Sequence, residues 1–236
     1  MRKGKKVKIL LAIFIVLAIA SVAVWLIFSN SNNVTHKKWY TAEDLGITEI
    51  KSPVDFNGNG IDDYSDIVLG ARKDAENHPK YDGRYIAGGY PPDDIGVCTD
   101  VVWRAFKNAG YDLREMVDID IQLRPEAYTN VEKRDKNIDF RRVKNLLVFF
   151  KKYAIELTVD VDAVEEWQAG DIVIFNEDKH IGVVSDKRSP DGVTYIIHNG
   201  GQPNREEPYL DWGNPTSHFR FDASLVDEAI LVAWSD

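Results

Sequence analysis

The chain has 236 residues, of which 44% are hydrophobic and 28% are charged, so it can bury a core of ordinary size. It contains one cysteine, which excludes an internal disulfide framework. The residues after position 28 carry 24 basic and 38 acidic side chains. Such an acidic surface repels phosphates, so we expect no nucleic acid partner.

The N-terminal segment differs from the rest of the chain. Residues 1–8 carry five positive charges and no negative ones. Residues 9–28 are an uncharged, apolar run of 20 residues, which as a helix spans roughly the 30 Å of a bilayer core. Because the basic flank should stay in the cytoplasm, we predict a single-pass membrane anchor at 9–28 with the remainder outside. A cleaved signal peptide is the alternative interpretation.

The next part of the chain is predicted to be a tether followed by one domain. The polar run at 29–38 has no periodicity, and we assign residues 29–50 to the tether and residues 51–236 to an extracytoplasmic domain. Apolar side chains recur at helical spacing in three segments of this domain. The predicted helices are 66–77, 98–109 and 138–155.

After about residue 160 the pattern changes to short segments rich in β-branched and aromatic residues, which are typical of strands. The predicted strands are 170–175, 180–186, 193–199, 217–221 and 229–234. The turn residues of "KRSPDG" at 187–192 predict a hairpin between the second and third strands. Helices followed by antiparallel strands predict an α+β domain with helices packed on a small antiparallel sheet.

A candidate calcium loop lies at 55–66, "DFNGNGIDDYSD". Oxygen-bearing side chains occupy loop positions 1, 3, 5, 9 and 12, which are Asp55, Asn57, Asn59, Asp63 and Asp66. Gly60 permits a sharp turn and Ile61 can offer its carbonyl, so the donors suit Ca²⁺. The loop resembles those of dockerin and thrombospondin type 3 repeats, and implies a structural Ca²⁺ ion. The alternative is an Asn-rich turn that only caps the following helix.

The lone thiol of Cys98 lies at the start of the predicted helix 98–109. Three roles compete for it: a buried apolar filler, a partner for a cysteine of another chain, and a nucleophile. Helix N-terminal N–H groups stabilise a thiolate, which favours the nucleophile. Asp100 opposes this effect if it points at the sulfur.

A thiol nucleophile needs a base and an orienting group, and two of the five histidines suit these roles. His180 opens one strand of the predicted hairpin and His198 closes its partner, so antiparallel pairing brings them close together. Asn199 is the alternative if the register shifts by one residue. The other interpretation is that both histidines are exposed polar residues at strand ends.

Four segments together resemble a known class of enzymes. Cys98 at a helix start, "WQAGDIVIF", "HIGVVSD" and "YIIHNGG" resemble the NlpC-type papain-like cysteine peptidases. Over about residues 64–222 the chain is more similar to a bacterial family of that clan that is catalogued as a domain of unknown function. The resemblance implies a papain-like fold in which Cys98 is the nucleophile, His180 its general base and His198 the residue that orients His180.

The resemblance also implies a substrate, since peptidases of the clan cut peptides of the bacterial cell wall. We therefore expect a membrane-anchored thiol hydrolase of cell-wall peptide. The alternatives are a catalytically inactive cell-wall binding module and an amide acyltransferase that uses the same residues.

The chain departs from the clan's pattern around the nucleophile. It has "V-C-T" where "D-C-S" is common, and Tyr85 or Tyr90 is the expected counterpart of the clan's upstream tyrosine. Arg141 and Arg142 are candidates for contact with a substrate carboxylate, although the sequence favours the alternative that they lie on a solvated helix face.

Overall fold

The computed structural model describes residues 39–235, and the predicted anchor at 9–28 lies outside them. Within the described residues, no helix is both long enough and apolar enough to cross a bilayer. These residues contain four α-helices. They are α1 (Asp63–Asn77), α2 (Cys98–Asn108), α3 (Leu113–Leu123) and α4 (Val143–Tyr153).

The same part of the chain forms eight β-strands. They are β1 (Lys80–Tyr81), β2 (Ile95–Gly96), β3 (Ile155–Leu157), β4 (Ile172–Phe175), β5 (His180–Arg188), β6 (Thr194–Ile197), β7 (Glu206–Glu207) and β8 (Pro215–Arg220). β1 and β2 form a short parallel pair, and the others form a six-stranded sheet in the order β3-β8-β4-β5-β6-β7. Every neighbouring pair in the large sheet is antiparallel, so the α+β class is confirmed.

The sheet is buried on both faces in its central strands. Ile181 and Val183 belong to the core that the four helices complete, whereas Phe175 and Val184 belong to a second apolar cluster. Because successive side chains of a strand point to opposite faces, these two clusters mark the helix-covered face and the opposite face. A strand covered on both sides reads as a continuous apolar run, which explains "IVIF" in β4.

Two predicted elements differ from the structure, and one helix of the structure was not predicted. The predicted helix 138–155 is a 3₁₀ turn at Asp139–Arg141 followed by α4, and Ile155 already belongs to β3. The predicted strand at 229–234 is wrong, since this segment makes only an isolated bridge between Tyr111 and Ala233. α3 was not predicted, although Leu113, Met116 and Val117 are buried at helical spacing.

The "GD" pair before β4 has a structural role in this chain. Gly170 has a φ of 88°, and a Cβ there would lie 2.5 Å from the carbonyl oxygen of Tyr64, so only glycine fits. Asp171 accepts hydrogen bonds from Arg220 at 2.7 Å and lies 2.9 Å from His218 Nε2. The buried carboxylate therefore ties β4 to β8.

Part of the predicted tether packs on the domain. Tyr40 and Arg188 exchange two backbone hydrogen bonds of 2.8 Å at the end of β5. The side chain of Gln168 bonds to the backbone of Thr48 and Ile50. Residues 39–50 thus contact the same sheet that carries the candidate site.

Candidate active site

Cys98 is the first residue of α2, and its side chain reaches the start of β5. Val97 precedes it in an extended conformation and donates its N–H to Asp100 at 2.7 Å, which caps the helix start. The backbone N–H groups of Ile181 and Thr99 point at the Cys98 sulfur. Since Ile181 directly follows His180, the thiol lies beside the strand residue that carries the predicted base.

The thiol is buried, and burial decides its protonation state. Cys98 is 5% exposed, and burial raises the pKa of its thiol to about 11, although the N–H groups of Ile181 and Thr99 act in the opposite direction. The expected depression of this pKa by the helix N-terminus is therefore outweighed. Cys98 is a neutral thiol at neutral pH.

Asp100 is turned toward a buried arginine. Arg141 donates to its two carboxylate oxygens through Nε and Nη2, both at 2.8 Å, and Trp103 Nε1 donates at 2.8 Å. Both members of this ion pair are buried. Arg141 is therefore buried in an ion pair and does not lie on a solvated helix face, whereas Arg142 is exposed. Both line the cleft beside Cys98, and their contact with a substrate stays a prediction.

The hairpin register brings the two predicted histidines together. Val183 pairs with Ile197 and Val184 with Ile196, so His198 lies opposite Gly182, and His180 lies on the same face. Nε2 of His180 is 2.7 Å from Nδ1 of His198.

Gly182 leaves room for the neighbouring side chains of β6 and His198. A Cβ at Gly182 would lie 2.6 Å from Cγ2 of Ile196 and 3.2 Å from Cβ of His198. The alternative third residue, Asn199, donates its amide to the carbonyls of Pro79 and Gly96 and is not part of the histidine pair.

Both histidines are neutral at neutral pH. Burial lowers the pKa of His180 to about 4. Burial, followed by the charges of His180 and Arg205, lowers the pKa of His198 to about 3. A neutral imidazole has one N–H and one lone pair, so each ring can accept one proton, as general-base chemistry requires.

Three further residues contact His198, and the sequence did not predict them. Glu207 Oε1 lies 3.2 Å from His198 Nε2, and the Tyr209 ring centroid lies 4.3 Å from that of His198. Gln202 Nε2 donates to the His198 carbonyl at 3.1 Å. The segment carries no periodic apolar signal, because β7 has only two residues and both are glutamates.

A cleft of about 770 Å³ opens beside the thiol, and Cys98, Tyr81 and Arg142 contribute to its walls. Burial raises the pKa of Tyr81, and the charge of Cys98 adds to this shift. The two tyrosines named from the sequence bond elsewhere: Tyr85 to Asp135, and Tyr90 to Asp112. Tyr81, and neither Tyr85 nor Tyr90, lines the cleft beside Cys98.

Two other histidines have different roles, and His36 lies outside the described residues. His78 ends α1 in the left-handed conformation, with a φ of 57°. His218 is fully buried, donates a hydrogen bond from Nε2 to Asp171, and stacks on Trp167 with ring centroids 4.0 Å apart. Neither belongs to the histidine pair.

The predicted calcium loop is held by hydrogen bonds between its own residues. Asp55 accepts the backbone N–H groups of Asn59 and Gly60. The amide nitrogens of Asn57 and Asn59 both meet Asp66 Oδ2, at 2.9 and 2.8 Å. Four of the predicted side-chain ligands therefore converge in one loop.

The other two predicted ligands, Asp63 and Ile61, have different surroundings from these four. Asp63 is buried in the first turn of α1, where its oxygens accept the Phe56 N–H at 2.8 Å and the Tyr111 hydroxyl at 2.5 Å. Ile61 is exposed. Across residues 39–235 no group of three or more His, Cys, Asp or Glu side chains is placed to hold a metal ion, and calcium binding stays a prediction.

The fold and the site define an α+β protein with a buried thiol at a helix start beside a hydrogen-bonded histidine pair. Residues 68–221 match the family described as "Domain of unknown function (DUF1287)", and the chain belongs to that family. It is 35% identical over 165 residues to the "Uncharacterized protein YijF" of Escherichia coli (strain K12), over 66% of this chain and 80% of that protein. No solved structure matches the chain significantly. The matched family region contains Cys98, His180, His198 and Glu207 but not the loop at 55–66.

Proposed function

We propose that the protein is a papain-like thiol hydrolase that cuts amide bonds of cell-wall peptide outside the cytoplasm. The observation that supports this proposal is the convergence of α2 and β5. The Cys98 sulfur contacts the N–H of the residue after His180, and His180 in turn bonds to His198 at 2.7 Å. We assign these three side chains the roles of nucleophile, base and orienting group that covalent catalysis requires.

The proposed reaction has two halves. His180 takes the proton of the Cys98 thiol while the sulfur attacks the amide carbonyl carbon. The C–N bond then breaks, His180 gives the proton to the leaving amine, and a thioester remains on Cys98. Water attacks the thioester, with His180 again taking a proton, and releases a carboxylic acid and the free thiol.

The resting protonation states favour a general-base step. The pKa of Cys98 is about 11 and that of His180 about 4, so a thiolate–imidazolium pair is a small minority in the free protein. The thiolate therefore forms as the carbonyl is attacked. The N–H of Cys98 lies in the first helical turn, where backbone donors have no partner within the helix, and it can stabilise the developing oxyanion.

The substrate and the location rest on separate arguments. The basic flank at 1–8 and the apolar run at 9–28 support export with a membrane anchor. The resemblance to the NlpC-type peptidases supports a cell-wall peptide. The cleft beside Cys98 is open to solvent near the start of α4, where Arg142 and Lys144 are exposed, so it offers space for an extended peptide next to the thiol.

The test is incubation of the purified protein with defined peptidoglycan fragments in ¹⁸O-labelled water, followed by mass spectrometry. Hydrolysis produces a shorter peptide with one ¹⁸O atom in its new carboxyl group. Unlabelled products joined to an added amine would show acyl transfer instead. Fragments that bind and stay intact would contradict the proposal and show a binding module.

We also propose that the loop at 55–66 holds a structural Ca²⁺ ion. The donors that fit are the side chains of Asp55, Asn57, Asn59 and Asp66 and the carbonyl of Ile61, because Ca²⁺ prefers carboxylate, amide and carbonyl oxygens. Asp63 fits only if it releases Tyr111, to which it is bonded. A bound ion would stabilise the entry to α1, which Asp62 caps through Ser65.

Calorimetric titration of the purified protein with Ca²⁺ is expected to show that one ion binds per chain. The substitution Asp55→Ala is expected to abolish this binding. Asp94→Ala, which removes an exposed carboxylate outside the loop, is the matched control and should bind as the wild type does. Absence of binding at millimolar Ca²⁺ would contradict this proposal.

A further inference from the structure

We infer that Glu207 is a positioning residue whose carboxylate fixes the tautomer of His198, and that His198 thereby keeps Nδ1 of His180 free to take the proton of Cys98. This inference rests on the proposed function for its catalytic meaning. The tautomers themselves depend only on the geometry of the three side chains.

The register of β6 and β7 places Glu207 beside His198. Ile196 pairs with Glu207, and His198 follows Ile196 by two residues, so all three side chains lie on the same face of the sheet. Glu207 Oε1 is 3.2 Å from His198 Nε2, and the two side chains are 16% and 3% exposed. The contact is therefore shielded from bulk water.

The chemistry of each group determines the direction of the hydrogen bonds. Burial raises the pKa of Glu207, and the charge of Arg205 opposes this shift. In its ionised form the carboxylate only accepts hydrogen bonds, so His198 Nε2 must then carry the proton. Neutral His198 then has its lone pair on Nδ1, which lies 2.7 Å from His180 Nε2. His180 must donate from Nε2, and its own lone pair is consequently on Nδ1.

The direction of these hydrogen bonds matters because only one ring nitrogen of His180 remains available to Cys98. Nε2 is occupied by His198, so Nδ1 is the atom that can take the thiol proton. With the opposite tautomer of His198, its Nδ1–H would face His180 Nε2 as a donor. His180 would then carry its proton on Nδ1 and could not act as a base toward Cys98.

Gln202 is the other polar side chain on the His198 ring, and it does not select a tautomer. Its Nε2 lies 3.3 Å from Nδ1 and 3.2 Å from Nε2 of His198, which are nearly equal distances. Its amide is directed to the His198 carbonyl at 3.1 Å, and its oxygen accepts the Gly200 N–H at 2.7 Å. Arg205 donates to Gln202 and to Pro79. Glu207 is therefore the group that determines which nitrogen of the His198 ring carries the proton.

The test combines ¹⁵N NMR of the imidazole rings with steady-state kinetics on the full-length protein. The spectra are assigned with His180→Gln and His198→Gln. In the wild type, both rings are expected to be protonated on Nε2 and unprotonated on Nδ1. In Glu207→Ala, both rings are expected to show mixed tautomers, and kcat is expected to fall by about 10- to 100-fold with KM unchanged.

Glu228→Ala is the matched control, since Glu228 is exposed and lies outside the sheet; it should keep the wild-type spectra and kcat. A proton on Nδ1 of either ring in the wild type, or wild-type tautomers in Glu207→Ala, would overturn the inference. If instead the tautomers follow Glu207 but no peptide is turned over, the proposed function fails and the tautomer assignment stands.

Discussion

Cys98→Ala is expected to lower the turnover of cell-wall peptides by roughly a thousandfold or more, with the fold intact. The substitution removes the atom that forms the thioester, and no other thiol exists in the chain. Alanine also fits the site, because it is smaller than cysteine and α2 favours it. The measurement is product formation by mass spectrometry, with the thermal unfolding midpoint determined for the same samples.

Cys98→Ser is the matched variant for this prediction. Serine keeps a hydrogen-bond acceptor for the N–H groups of Ile181 and Thr99, which meet the sulfur in the wild type, but its hydroxyl is a much weaker nucleophile. Both variants should be inactive and folded. Turnover by Cys98→Ala equal to that of the wild type would refute the assignment of the nucleophile.

Arg141→Met is expected to lower the free energy of unfolding by about 3–5 kcal/mol, because it leaves the buried carboxylate of Asp100 without its counter-charge. Since a domain of this size is stable by about 5–15 kcal/mol, this loss is a large fraction of the total. Asp100 also bonds to Val97 N and Trp103 Nε1, so the start of α2 that carries Cys98 depends on the same pair. Denaturant titration followed by circular dichroism measures the change.

The matched control is Arg84→Met. Arg84 is exposed and pairs with its near neighbour Asp82, and solvent-exposed ion pairs contribute little to stability. We expect this variant to unfold close to the wild-type midpoint. If Arg141→Met also unfolds at the wild-type midpoint, the pair with Asp100 does not stabilise the start of α2.

Local patterns in the sequence were enough to predict the elements that carry the thiol and the histidines. The helix at 98–109 could be predicted because Val101, Val102, Ala105 and Phe106 recur at helical spacing, and all four are buried. The prediction was one residue too long at the C-terminal end. The turn at 187–192 indicated the hairpin, and the apolar residues of β5 and β6 indicated which faces of the two strands are buried. His180 and His198 then lie together because the register follows the buried side chains.

The sequence could not predict features that depend on distant parts of the chain. Asp100 and Arg141 are 41 residues apart, and no local pattern joins them. Glu207 lies on a strand of two residues, which is too short for a periodic signal. The raised pKa of Cys98 results from tertiary burial, which a motif at a helix start does not report.

The most direct test asks whether Cys98 is a nucleophile that His180 activates. The protein is incubated at pH 7 with a cell-wall peptide that carries an electrophilic group, and the adduct is measured by intact mass. We expect one adduct per wild-type chain, located on Cys98, and slow labelling of His180→Gln. Iodoacetamide is expected to react slowly at this pH and tenfold faster for each unit of pH increase, because the pKa of the buried thiol is about 11 and the thiolate is the reactive form. A wild-type protein that stays unmodified by the peptide, or a His180→Gln variant that is labelled at the wild-type rate, would contradict the proposed active site.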